Sequence, residues 1–301
     1  MTSGSLAAQS AVRRWQMDDV TFTYVVDGAM WLAADGFLPA IPQSYWDDHP
    51  DEVGPDGLVA MSTGGLLVQS PLATVLIDAG MGQSVGESAL GRTDCGEFLN
   101  TLARLGVDRD AIEVCALTHL HVDHAGWIFV QDGPGPRQPT FPRAQYVVAE
   151  AEWAPLQRGE RPMGASDRES VLEPLGRHHN VVFIADGDEV APGVRALVTP
   201  GHSAGHTSYV ITSSAGNRLV AFGDAFHVPA QLANPEWGSA PDTMPATVPT
   251  ARAQLLDELC RPGTFGFAIH FGDQPFGQVM REPGAARWQP LATDVLFGPP
   301  R

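Results

Sequence analysis

Short apolar runs, bounded by glycine and proline, recur along the whole chain and predict a strand-rich fold. Residues 20–31 alternate well enough for a strand, and 64–69 and 73–78 flank Ser70-Pro71 as a hairpin. Further strands are expected at 112–117, 145–149, 181–185, 194–199, 207–212, 218–222 and 265–270. A helix is expected at 94–105, where Asp94 is placed to cap, Glu97 lies three residues on and Gly106 stops it. Others fit 150–156, 166–178 and 250–260. Residues 33–57 show no clear period and read as a surface loop or a lid over a binding site. Residues 1–15 are expected to be frayed and the tail from Gln274 irregular. Strands with interspersed helices, in two similar halves without a linker, indicate a single α+β domain over 1–301, sheets covered by helices.

The ends of these runs carry the chemistry. Val75-Leu76-Ile77 stops at Asp78, and the run to Leu117 opens into Thr118-His119-Leu120-His121-Val122-Asp123-His124. Runs also end in His202, Asp224 and His270. Strands of a sheet can share a rim, so residues remote in sequence can meet there. Imidazoles are costly to crowd, because charged rings repel and neutral ones need hydrogen-bond partners. A shared metal ion relieves both problems.

Composition then removes alternatives. The 301 residues are enough for a sizeable core, and 44% apolar with 18% charged residues is ordinary globular composition. A formal charge of −17 disfavours nucleic acid and anionic membrane as partners. The chain has no lysine, which excludes Schiff-base, P-loop and kinase-type lysine chemistry. Cys95, Cys115 and Cys260 are isolated, so neither a disulfide framework nor structural zinc is expected. With neither a signal core nor a membrane-length apolar stretch, a soluble, cytoplasmic protein is expected.

The H-x-H-x-D-H cluster, together with His202, Asp224 and His270, resembles the metallo-β-lactamase fold superfamily from Asp78 through His270. The resemblance implies a four-layer αββα sandwich with two metal ions at one rim. It assigns His119, His121 and His202 to one ion, Asp123, His124 and His270 to the other, and Asp224 to both. Five imidazoles and two carboxylates suit two divalent ions, zinc first, with iron or manganese as alternatives. Such a pair can share a bridging hydroxide that attacks an electrophilic centre. In the superfamily the bridging aspartate marks glyoxalase-II-like, lactonase and phosphoester branches rather than true β-lactamases.

The run Gly223-Asp224-Ala225-Phe226-His227 and His124-Ala125-Gly126-Trp127 resemble the lactonase and methyl-parathion-hydrolase-like group. Acyl-homoserine lactonases commonly carry tyrosine where this chain has His227, a departure that puts that substrate in doubt. Asp123, Asp224 and His227 are thus the catalytic candidates, and Asp78 and Thr118 are candidates to orient ligand histidines. His206 is read as structural, and His49, His178 and His179 as solvent-facing. Trp31, Phe37, Trp46, Trp127 and Phe226 are candidates to line a substrate pocket, with Tyr45 and Trp237 behind them. The expected activity is hydrolysis of a small-molecule carboxylic ester or lactone, with thioesters and organophosphate triesters as alternatives and a homodimer allowed. From another class, a mononuclear iron persulfide-type dioxygenase shares a similar histidine cluster, and a non-catalytic scaffold would have lost ligands.

Overall fold

In the computed structural model, which describes residues 4–131, 133–282 and 285–300, the strands form two large sheets and one short two-stranded ribbon. The first large sheet runs, in spatial order, Val181–Ile184, Gln145–Ala149, Val114–Ala116, Thr74–Ile77, Leu58–Gln69, Val20–Ala33, Val12–Met17 and Asp294–Phe297. The hairpin Ser84–Ser88 with Gly91–Cys95 joins it along Val20–Ala33. The second sheet runs Glu189–Ala191, Val194–Val198, Thr207–Thr212, Arg218–Ala221, Thr264–Phe267, Phe276–Glu282 and Ala285–Pro290.

Alternation within each strand builds the layers. Val75 and Ile77 point into a core between the sheets with Phe22, Val68, Tyr209, Leu219 and Phe267, while Leu76 points outward. There it meets Phe98 and Leu102 of the helix Phe98–Arg104. On the far side, Leu255, Leu256 and Leu259 of the helix Val248–Leu259 cover Val220 and Phe222. The order is helix, sheet, sheet, helix: the expected αββα sandwich.

The topology brings the chemistry-bearing ends to one rim. Val114–Ala116 is parallel to Thr74–Ile77, so Asp78 and residues 117–124 leave the first sheet together. Arg218–Ala221 is parallel to Thr264–Phe267, which brings Asp224 and His270 together on the second. Val194–Val198 is antiparallel to Thr207–Thr212, itself antiparallel to Arg218–Ala221, so the turn holding His202 emerges on the same side. Two buried tyrosines cross-brace this rim. Tyr24 of the first sheet donates its hydroxyl to Ile269 O at 3.1 Å, and Tyr209 of the second donates to Leu117 O at 2.9 Å.

Four sequence expectations are corrected. Asp94 does not cap a helix: it lies in the strand Gly91–Cys95, paired with Ala29. The helix starts at Phe98, and the side chain of Asp27, from a neighbouring strand, accepts the Phe98 N–H at 2.9 Å. The tail is not irregular. It supplies Phe276–Glu282, Ala285–Pro290 and Asp294–Phe297, whose alternation is masked by Gly277 and by exposed Arg281 and Glu282. The N-terminal stretch is tied down from Ser10, where Asp273 accepts from Ala11 N and from Arg13 Nε, at 2.9 and 2.6 Å. Residues 33–57 hold two short helices, Ala34–Phe37 and Gln43–Asp48, that pack Leu38, Ile41 and Trp46 against Val59, Met61 and Val228.

Candidate metal centre and its cavity

At the rim, two groups of four ligand atoms lie within 4.8 Å of one another in each group: His119, His121, His202, Asp224, and Asp123, His124, His270, Asp224. Asp224 belongs to both, and its two oxygens divide the work. Oδ2 lies 3.8 Å from His119 Nε2 and 3.3 Å from His202 Nε2, whereas Oδ1 lies 3.1 Å from both His124 Nε2 and His270 Nε2. His121 turns its Nδ1 inward, 3.0 Å from His202 Nε2. Asp123 Oδ2 is 3.5 and 3.6 Å from His124 and His270 Nε2.

The outer hydrogen bonds of these rings decide what the inner nitrogens can do. His124 Nδ1 lies 2.8 Å from Asp78 Oδ2, His202 Nδ1 2.9 Å from Asp242 Oδ1, and His270 Nδ1 2.9 Å from Ser62 O. All three partners accept, so Nδ1 of each ring must carry the proton. Thr118 donates its hydroxyl to Asp78 at 2.8 Å and therefore accepts from His119 Nδ1, 3.0 Å away. In the neutral tautomers that follow, Nε2 of all four rings is a bare lone pair aimed inward. Lone pairs and carboxylates converge with no donor among them; His119 Nε2 and Asp224 Oδ1 are buried without a hydrogen-bond partner. This arrangement fits divalent cations in both groups, by donor type and by geometry.

Ionisation within the protein follows the same logic. Burial opposes a charge on His124, but Asp224, Asp123 and Asp78 outweigh it and raise its pKa well above the ordinary value. His270 is raised in the same way, burial opposing and Asp224 prevailing. His119 is pushed well down by burial and by its neighbours His124 and His121, and His121, mainly through burial, to about 3. The rim therefore calls for positive charge beside Asp224, favouring it on His124 and His270 while keeping protons off His119 and His121.

Several supports were not readable from the sequence. Asp242 fixes His202 and is itself held by Ser239 N and Oγ, both at 2.7 Å. Asp27 is buried inside a strand, where it accepts from Met81 N, Gly82 N, Gly96 N, Phe98 N and Trp127 Nε1. A lone aspartate within the apolar run Val25-Val26-Asp27-Gly28-Ala29 was the available signal. Glu152 joins two ligand loops by accepting from Leu120 N, Ser203 Oγ and Gly205 N. Asp78 takes a left-handed backbone (φ 62°), a strained choice for a non-glycine residue that aims its carboxylate at Thr118 and His124. His206 touches no ligand atom of the groups; its Nε2 accepts the Asp224 N–H at 2.9 Å and its Nδ1 meets Thr199 Oγ1. Gly223, at φ 48°, makes room for that contact, since a Cβ there would lie 2.8 Å from His206 Nε2.

A cavity of about 200 Å³ opens onto both groups. Its wall contains Met30, Leu32, Phe37, Met61, Leu90 and Met163 beside the ligands and His227. His227 is buried with both ring nitrogens unpartnered, its Nε2 3.3 Å from Asp224 Oδ2 and its ring edge-on to Phe37. Burial lowers its pKa, with Asp224 opposing, so the ring is neutral and can donate one hydrogen bond. Of the five aromatics expected on the wall, only Phe37 is there. Trp31 lies under Arg92, Trp46 is in the core below 33–57, Trp127 is anchored to Asp27, and Phe226 is buried against Phe222 and Arg252. Among the histidines expected in solvent, His179 is exposed, but His178 packs edge-on to Tyr146 and His49 stacks on Tyr45.

Comparison with known proteins agrees with this architecture. Residues 65–130 match the family model described as the metallo-beta-lactamase superfamily. An N-acyl homoserine lactonase, AiiA, of Bacillus thuringiensis subsp. kurstaki is 29% identical over 169 residues, which cover 51% of this chain and 60% of that protein. The chain thus spans about 60% of the length of this curated relative. Among solved structures, AidC, a dizinc quorum-quenching lactonase in complex with a product, superposes with a TM-score of 0.76 at 20% identity, covering 94% of this chain and 98% of that one. The hydrolase AbOPH of the beta lactamase superfamily gives 0.75 at 24% identity with the same coverage. Among the described residues no helix is long and apolar enough to cross a membrane. With a sandwich of this topology and a histidine–aspartate rim of this kind, the chain has the metallo-β-lactamase fold and is similar to that superfamily over residues 65–130.

Proposed function

We propose that this chain is a two-metal hydrolase of uncharged carboxylic esters, lactones foremost, with zinc in both ligand groups. The observation that carries the reading is the carboxylate of Asp224, which turns one oxygen to each histidine group at the floor of an apolar cavity. Two divalent ions bound there supply Lewis acidity and a hydroxide available at neutral pH. The chain's own residues do the rest. Asp78, Thr118, Asp242 and the Ser62 carbonyl hold four imidazoles in the tautomer that presents Nε2. Met30, Leu32, Phe37 and Met61 shield the floor from bulk water, which strengthens every charge interaction there. His227, neutral and unpartnered, is within reach of the floor to donate to the oxygen of the substrate that gains charge.

The curated relative named an N-acyl homoserine lactonase and the product-bound dizinc lactonase structure support the lactone as substrate class. Two separate ligand groups sharing one aspartate argue against a single-iron oxygenase, which needs open positions around one ion. The test is elemental analysis of the purified protein beside a panel of lactones, p-nitrophenyl esters, thioesters and paraoxon-type triesters. About two zinc ions per chain with lactone or ester turnover is the expected result. One iron per chain and no hydrolysis would overturn the reading.

A further inference from the structure

The cavity wall says what kind of molecule it accepts. Apart from the ligand set and His227, every side chain lining it is apolar: Met30, Leu32, Phe37, Met61, Leu90 and Met163 are joined by Val122, Ala240 and Pro241. Among the described residues no arginine stands on the wall, and the chain has no lysine. A carboxylate, phosphate or nucleotide arm would enter without a counter-charge, against a protein of formal charge −17. An uncharged amide fares little better. Its N–H and C=O would be buried with only His227, besides the ligand set, to pair them, and unpaired buried polar groups are costly.

The mouth adds a positive element. Leu90 and Met163 both line the cavity, yet they are 50% and 63% exposed, among the largest apolar exposures of the described residues. Neither is on a slack segment. Leu90 sits in the turn of the hairpin Ser84–Ser88/Gly91–Cys95, where its O accepts from Ala33 N at 2.8 Å and its N donates to Ser88 Oγ at 3.2 Å. Met163 precedes Gly164, whose O accepts from Val122 N at 2.9 Å and whose φ of 80° brings it against the His121 ring. A Cβ at 164 would lie 3.1 Å from that ring, so glycine is what lets this segment close on the site. Two backbone-anchored apolar side chains thus flank the opening of a cavity too small for a long molecule. They offer surface to an apolar arm that emerges past them.

We propose that the preferred substrate is an uncharged ester or lactone whose arm is an unbroken hydrocarbon, gripped at the mouth by Leu90 and Met163, and that an amide next to the ring is selected against. This rests on the hydrolase reading above and narrows it. The experiment measures kcat/KM of the zinc-loaded protein on γ-lactones with alkyl arms of increasing length, on N-acyl homoserine lactones of matched length, and on ω-carboxylated arms. In parallel, calorimetry measures the binding of the corresponding γ-lactams, which are not turned over. Expected are a rise of up to about fourfold per added methylene until the arm clears the mouth, and a preference of about fivefold to 150-fold for the alkyl lactone over its amide-bearing match. The Leu90→Ser/Met163→Ser variant should flatten the length dependence in both assays, and the carboxylated arms should be the poorest ligands. A flat length series, or N-acyl homoserine lactones equal to or better than alkyl lactones, would overturn the proposal while leaving the hydrolase reading intact. Lactam binding with the expected slope but no turnover of any lactone or ester would uphold the mouth and sink the hydrolase reading. Neither binding nor turnover would sink both.

Discussion

Removing the Asp242 carboxylate should weaken one ligand group and spare the other. Asp242 Oδ1 lies 2.9 Å from His202 Nδ1, and among the described residues it is the only carboxylate hydrogen-bonded to an outer ring nitrogen of the group His119, His121, His202. Burial works against its charge, and the hydrogen bond from His202 more than offsets this, so Asp242 ionises well below the ordinary carboxylate range. In Asp242→Ala nothing dictates which nitrogen of His202 is protonated, and the ring is free to turn. Asp242→Asn is no remedy. With its oxygen toward His202, its NH₂ faces the Ser239 N–H that Oδ2 now accepts at 2.7 Å. Flipped, its NH₂ faces Nδ1 and forces the proton onto Nε2, the ligand atom. Loss of such an outer partner weakens metal binding about 10- to 100-fold, or about 1.4–2.7 kcal/mol. The assay is a chelator competition on the zinc-loaded protein, resolving a tight and a weak step. Asp242→Ala should shift one step by that amount and leave the other in place, whereas Asp78→Asn should shift the step that Asp242→Ala spares, through His124, and also reach the first through Thr118 and His119. If both steps stayed put in Asp242→Ala, or if Asp78→Asn left in place the step that Asp242→Ala spares, the assignment of outer partners to groups would be wrong.

Other perturbations give distinct readouts. Asp27→Asn keeps an acceptor for only part of a five-donor set, leaving at least two buried N–H groups facing an NH₂, which should cost about 2–6 kcal/mol. An unchanged urea midpoint would show that the donors find other partners. His206 is buried, which pushes its pKa down to about 3, while in the unfolded chain it titrates near 6.5. Below about 6.5 the unfolded state binds a proton that the native state refuses, so metal-free stability falls with falling pH, by up to about 1.4 kcal/mol per unit. His206→Gln should lose that part of the slope, and parallel slopes would refute the neutral, hydrogen-bonded ring. His227→Phe should lower turnover by about 10²-fold without changing zinc content. Unchanged turnover would return this ring to a packing role.

The ligand residues were legible because histidine is scarce, it concentrates at ends of apolar runs, and strands that share a direction share a rim. Asp78 and Thr118 were legible for the same reason. What decides the behaviour of the ligands was not. Asp242 sits in Ser239-Ala240-Pro241-Asp242, a segment like any polar turn until the fold carries it to His202. The Ser62 carbonyl that fixes His270 has no side-chain signature at all. Aromatic residues beside ligands were poor guides to the cavity, because adjacency in sequence does not say which way a ring points. Phe226 follows Asp224 by two positions yet faces the core. The strands at 276–297 escaped notice because their stability comes from partners across the sheet rather than from their own alternation.

The ligands of each group come from both sheets. His119 and His121 of the first face His202 of the second, Asp123 and His124 face His270, and Asp224 joins each set. A cation held in either group therefore works as a clasp across the seam of the sandwich, beside the Tyr24 and Tyr209 hydroxyls that already span it. It cannot leave by the swing of one loop; the seam must part at that rim. Metal release and the parting of the two halves become one event, so zinc exchange should keep pace with unfolding on heating. A chain cut between its halves would offer each ion at most half a coordination shell.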